Sequence, residues 1–224
     1  MSQPSSSDME GAIERVYQAF ERYAAGRSDG YDLSELRMLP YRDLSDDRGA
    51  GEFKRFLPDL LKSGLGEMYD VDPQVGRALR AAEWWTWPDA ERESIREFFR
   101  ADWRRVLEES GAGGAEGALC GIANLEDDLS WYLEHWMRTT TRRSYEELGR
   151  LVLWAAPAIQ SDRPRLGVMW EGRERQWKQV VHWLASEQTL EHLETGHFAT
   201  ESGQVSNACE ALRTLLRSAA QLKD

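Results

Sequence analysis

PDAERESIREFFRADWRRVLEE, residues 88–109, is the stretch whose reading decides the fold. Ile95, Phe98, Phe99, Trp103, Val106 and Leu107 recur at helical spacing, so one face is apolar and the other charged. Pro88 suits a first helical turn, and Asp89 and Glu91 complement the helix dipole there. Only Asp102 interrupts the apolar face. A buried carboxylate needs a hydrogen bond or a counter-ion, so Asp102 is expected to accept from an indole N–H or to pair with an arginine of a neighbouring helix. The alternative is an acid with a perturbed pKa in a pocket.

The same period extends outward in both directions. Upstream, Ser7 and Glu10 have capping-box spacing, and Ile13, Val16, Tyr17, Phe20, Tyr23 and Ala24 form a stripe. Phe53, Phe56, Leu57, Leu60 and Leu61 form another, with Pro58 expected to kink it or to start a second short helix. A helix is expected from about Pro73 to Trp84. Downstream, Leu125 to Met137, Ser144 to Ile159 (opened by a Ser144/Glu147 capping box), Trp177 to Leu184, Leu190 to Phe198 and Val205 to Ala219 read as helices. Only Leu166 to Trp170 alternates with period two, so no sheet is expected.

The fold class is therefore all-α, with antiparallel helical hairpins joined by short loops, packed as an irregular HEAT-like array or a compact bundle. No fixed-period self-similarity supports a strict repeat. Residues 1–8 read as a disordered tail and 9–224 as one helical domain. The four glycines between Ser110 and Gly117 make 110–117 the candidate hinge.

Composition narrows the function classes. Lys+Arg is 28 and Asp+Glu is 39, a net charge of −11. An acidic chain repels phosphate backbones, so nucleic acid is disfavoured, and Arg138, Arg142 and Arg143 read as a solvated helix end. Cys120 and Cys209 read as buried thiols rather than a disulfide framework or a zinc set. No apolar run approaches the ~20 residues of a membrane span, and the N-terminus lacks a signal-peptide core, so the cytoplasm is expected. No phosphate-binding, dinucleotide, nucleophile-elbow or zincin motif occurs, and no cofactor is expected. Glu194 and His197 have the E-x-x-H spacing of di-iron bundles, but in one copy, and no metal site is expected.

Ten tryptophans are the unusual feature. Trp103, Trp136, Trp177 and Trp183 fall on or beside apolar stripes. Trp84, Trp85 and Trp87 crowd one helix junction that cannot hide all three, and an exposed tryptophan suits a partner surface. Asp128 and His135 are seven apart on one expected helix, too far along its axis for direct contact. With Asp102 and Arg142 they are the polar side chains to watch for a pocket between helices.

Several stretches resemble a family of uncharacterised bacterial all-helical proteins. They are Leu36-Arg-Met-Leu-Pro-Tyr-Arg-Asp-Leu44, Glu52-Phe-Lys-Arg-Phe-Leu-Pro58, Trp85-Thr-Trp-Pro88 with Phe98 to Trp103, and Gln179-Val-Val-His-Trp-Leu184. Members read "PLR-x-L", "DFKHFLP", "W-x-TWP" and "QV-x-x-WL" in that order, so the resemblance spans roughly residues 15–220. Many members carry a cysteine cluster before the first motif, whereas Gly26 to Ser34 here has none. The resemblance implies a bacterial helical domain and no particular chemistry. The expectation is a non-enzymatic helical module that binds another protein. The alternative is an enzyme or small-molecule binder with a pocket between helices.

Overall fold

The computed structural model describes residues 4–24, 38, 44, 47–63, 73–109, 114–160 and 170–221. Among them lie ten α-helices and no strand, so the protein is all-α. They are α1 (Pro4–Phe20), α2 (Asp47–Ser63), α3 (Pro73–Ala81), α4 (Asp89–Glu108), α5 (Ala115–Ala123), α6 (Ser130–Arg138), α7 (Arg142–Gln160), α8 (Glu174–Leu184), α9 (Glu187–Thr200) and α10 (Gly203–Gln221). No described helix is long and apolar enough to cross a membrane. The chain divides into two compact units, Met1–Val106 with Gly111–Leu125, and Leu107–Ser110 with Glu126–Asp224. Residues 110–113 of the expected hinge lie outside the described residues, and those from Ala115 onward are helical.

In the first unit α1 buries Met9, Ala12, Val16 and Phe20 at helical spacing and packs on α2. Its first turn already includes residues 4–8, so Ser7 is internal to the helix rather than its cap. A 3-10 turn, Glu21–Tyr23, extends it. Pro58 stays inside α2, which runs unbroken to Ser63. Pro58 removes one amide donor, and burial of Phe53, Phe56, Leu57, Leu60 and Leu61 outweighs that loss of about 3 kcal/mol.

Helix α5 has no counterpart among the expected helices. Ala115, Ala118, Leu119, Cys120, Gly121, Ile122 and Ala123 are all buried, so no polar face betrays its period. It packs on α3 almost backbone to backbone. A Cβ placed on Gly76 would lie 2.4 Å from the Gly121 carbonyl oxygen.

In the second unit α7, α9 and α10 pack on one another. Gly149 of α7 faces Val205 and Ala208 of α10 at ordinary contact distance. Gly196 of α9 lies under the Tyr145 ring of α7, where a Cβ would meet ring carbons at 2.3 Å. Helix α7 is opened by Thr141, whose hydroxyl accepts from the Ser144 amide at 3.0 Å and donates to the Leu107 carbonyl at 2.6 Å. Ser144, the expected cap, is a buried residue inside the helix. The period-two segment 166–169 and the loop from Asp162 to Gly167 lie outside the described residues. Phe198, expected on an apolar stripe, is 83% exposed.

The Gly76 crossing yields a test. Alanine is the better helix former by ~0.5–1 kcal/mol. Here its methyl meets a carbonyl that cannot swing aside, and overpacking of this kind costs about 1–3 kcal/mol. Gly76→Ala is therefore expected to lower the urea midpoint. An unchanged or higher midpoint means that α3 and α5 do not touch as described.

Candidate functional site

The tryptophan junction is shaped by one unusual backbone residue. Glu83 closes α3 in the left-handed region, φ 48°, and a 3-10 turn, Trp84–Thr86, follows. The reversal sends the three indoles to different places. Trp84 is buried beneath the Arg96 guanidinium, 5.3 Å from the ring centre, and its N–H has no acceptor among the described residues. Trp87 is buried against the edge of Phe20, and its N–H donates to the Ala82 carbonyl at 3.0 Å. Trp85 alone is open, at 46% exposure, with Arg80 above its ring.

Beneath Trp87 lies a buried charge cluster. Glu91 is 1% exposed on the inner face of α4. It accepts from Arg22, from the Tyr23 hydroxyl at 3.0 Å and from the Lys54 ammonium at 3.1 Å. Lys54 Nζ also lies 4.2 Å from the Trp87 ring centre, a cation–π contact strengthened by exclusion of water. A cavity of about 500 Å³ opens beside this cluster. Its walls include Tyr23, Leu44, Lys54, Glu83, Trp87 and Pro88. One residue or more from each of the quoted stretches at 36–44, 52–58 and 85–88 therefore reaches it.

The other four expected site residues are spread over separate elements. Asp102 is buried and paired with Arg105 of its own helix, at 3.0 Å to Nε and 2.7 Å to Nη2, rather than with an indole or a neighbouring helix. Burial pushes its carboxyl pKa up, and the Arg105 charge opposes that shift. Asp128 is not on the helix of His135 but in the turn before α6. There it accepts from the Ser130 hydroxyl at 2.7 Å, from Gln179 at 2.6 Å and from the Ser130 amide at 3.0 Å, which hold its pKa down. His135 stacks flat on Trp131, with ring centres 5.3 Å apart. Arg142 is exposed and pairs with Glu146 one turn along α7. Glu194 of the E-x-x-H pair is held by Arg213 at 2.7 Å, and no cluster of three metal-ligating side chains occurs among the described residues.

The second unit holds a larger cleft, of about 700 Å³, between α6, α8 and α9. Leu133, Met137 and Trp183 supply its apolar lining, and Glu134, Arg138, Gln179, His182, Glu191 and His192 its polar lining. Ser130 and Gln179, the partners of Asp128, also line it, so Asp128 braces the cleft from behind. The His192 ring lies 4.9 Å from that of Tyr145, and its Nε2 is buried without a hydrogen-bond partner. Burial lowers the His192 pKa from its ordinary 6.5, which favours the neutral ring.

Sequence reasoning did not find Lys54, Tyr23, His182, Glu191 or His192. It placed Glu91 only as a dipole partner. The signal for Glu91 was present, since residues 91, 95, 98 and 102 share one helical face. Set against known proteins, the chain matches no family model, no curated protein and no solved structure.

Two measurements test these placements. Trp87→Ala should lose about 3–5 kcal/mol of stability, as large core truncations do, whereas Trp85→Ala should stay within ~0.5 kcal/mol. Equal losses would mean that the junction is folded differently. For His192, the unfolded chain takes up a proton near pH 6.5 that the folded chain resists. Stability of the second unit should therefore fall as the pH drops below about 6.5. His192→Gln should show a shallower fall in thermal midpoint, and an identical slope would rule the buried imidazole out.

Proposed function

We propose that this chain is a helical protein-interaction module whose working surface is the cleft between α6, α8 and α9. The observation that carries the reading is the cleft itself. It joins an apolar floor to the exposed side chains of His182 and Glu191. Leu133, Met137 and Trp183 offer the adaptable apolar and aromatic surface that interface anchors use. Glu134 at the cleft is paired with Arg138, while Glu191 is exposed, and on a chain of net charge −11 this favours a partner segment that carries a cation beside its apolar face. An amphipathic helix laid into the groove meets these requirements.

The tryptophan run contributes less to this reading than its sequence suggests. Trp84 and Trp87 serve the core, and one exposed indole is a small patch.

The cleft volume also falls within the ~300–1,000 Å³ of small-molecule sites, which supports a small-molecule ligand there as the second reading.

Affinity capture from the native host tests the choice. Wild-type chain is expected to retain a specific partner, Met137→Arg to lose it with an unchanged thermal midpoint, and Trp85→Ala to keep it. Recovery of the same proteins by wild type and Met137→Arg, or of none by either, removes the interaction reading.

A further inference from the structure

A helix that carries a cation beside an apolar face suits the cleft between α6, α8 and α9, and the chain displays such a helix itself. Helix α7 turns Leu148, Leu151, Val152 and Ala155 into the core of the second unit. Its opposite face exposes Arg150, Leu153, Trp154 and Pro157. These stand at i, i+3, i+4 and i+7, so they form one stripe two turns long, with the cation at one end and the apolar side chains after it.

The stripe has the character of an anchor. Leu153 is 37% exposed and Trp154 43%, and they are neighbours in the chain, unlike the other large apolar side chains exposed among the described residues. The Trp154 ring stands edge-on against the buried Trp177, with ring centres 5.4 Å apart. An indole already held in place loses less freedom on docking than a mobile one. Arg150 gives Glu147 a hydrogen bond at 2.7 Å, and its side chain remains 57% exposed. A guanidinium has five N–H groups in a fixed fork, so the outward side is open to a second carboxylate.

The cleft supplies the complement, an apolar floor of Leu133, Met137 and Trp183 and the exposed carboxylate of Glu191. We propose that the cleft receives the α7 stripe of a second copy of this chain. Leu153 and Trp154 then lie on the floor, and Arg150 meets Glu191. The proposal rests on the reading of the cleft as a helix-binding groove and commits it to one occupant. Net charge −11 repels like copies, and Arg150 places a cation where the contact is made. Cleft and stripe both belong to the second unit, so every copy offers one of each. Such a contact closes into a reciprocal dimer or a ring, or passes from copy to copy.

Sedimentation velocity on the full chain tests the assignment. At concentrations on the order of 100 μM the wild-type chain is expected to sediment as a dimer or larger. Met137→Arg breaks the cleft and Leu153→Glu breaks the stripe. Each variant alone should be monomeric and keep the wild-type circular-dichroism spectrum. Mixed in equal amounts they should form a dimer, because the cleft of the Leu153→Glu chain still receives the stripe of the Met137→Arg chain. Glu191→Arg should weaken self-association at least about tenfold, and Arg150→Glu in the same chain should restore it. A monomeric wild type overturns the proposal, as does a mixture that stays monomeric or a single variant that associates as wild type does. The two readings fail separately: a monomeric wild type that still captures a foreign protein, lost in Met137→Arg, sinks self-docking and keeps the groove.

Discussion

Glu91 sits on the inner face of α4 with 1% of its surface exposed, and the first unit is arranged around supplying that carboxylate with donors. Removing a carboxylate from water costs several kcal/mol even after relaxation, unless donors replace the lost hydration. Two other buried carboxylates show how differently the need can be met. Asp102 takes Arg105 of its own helix, and Glu147 takes Arg143 and Arg150 of its own helix. Those pairs tie no elements together. Glu91 instead draws Lys54 from α2, and Arg22 and Tyr23 from the 3-10 turn after α1. The register of those elements on α4 follows from that, and so does the position of Trp87, whose indole receives the Lys54 ammonium.

Close approach is the second constraint. Helices that touch through side chains leave a stripe in the sequence, and α1, α2, α4, α7 and α10 all do so. Helices that touch through glycine do not. Helix α5 is buried on all sides, and its small residues let α3 come within backbone contact at Gly76. Read as sequence, the glycines of Ser110 to Gly117 mean flexibility, and Gly121 just beyond them carries no signal. In the fold, Gly121 means the opposite, a place where nothing larger fits. Gly196 repeats the lesson in the second unit, where the Tyr145 ring occupies the space of the missing side chain.

The all-α class and most of the apolar stripes were legible because each rests on local periodicity, whereas the exposure of Trp131, Trp154 and Phe198 and the half-buried place of Trp183 in the cleft were not. Caps were not. Ser144 and Glu147 have capping-box spacing, yet Thr141 caps α7, because its hydroxyl can also reach the Leu107 carbonyl. The two cavities were legible only in part. Trp87 was visible as part of a crowded run. Its partners Lys54, Tyr23 and Glu91 come from three elements that only the fold brings together. The cleft residues come from α6, α8 and α9, whose separation in sequence hides their common surface.

Exposed polar groups need no partner, because water serves them, so His182 and Glu191 by themselves say little. Left-handed residues say little either, since Glu83 and Glu201 both end a helix in that conformation and both are exposed. What singles out the cleft is the company these polar groups keep, the apolar Leu133, Met137 and Trp183 on one common surface. The tryptophans divide in the same way. Trp84, Trp87, Trp103, Trp136, Trp170 and Trp177 are buried in the core, whereas Trp85, Trp131 and Trp154 are exposed on three different elements and argue for no site by their number.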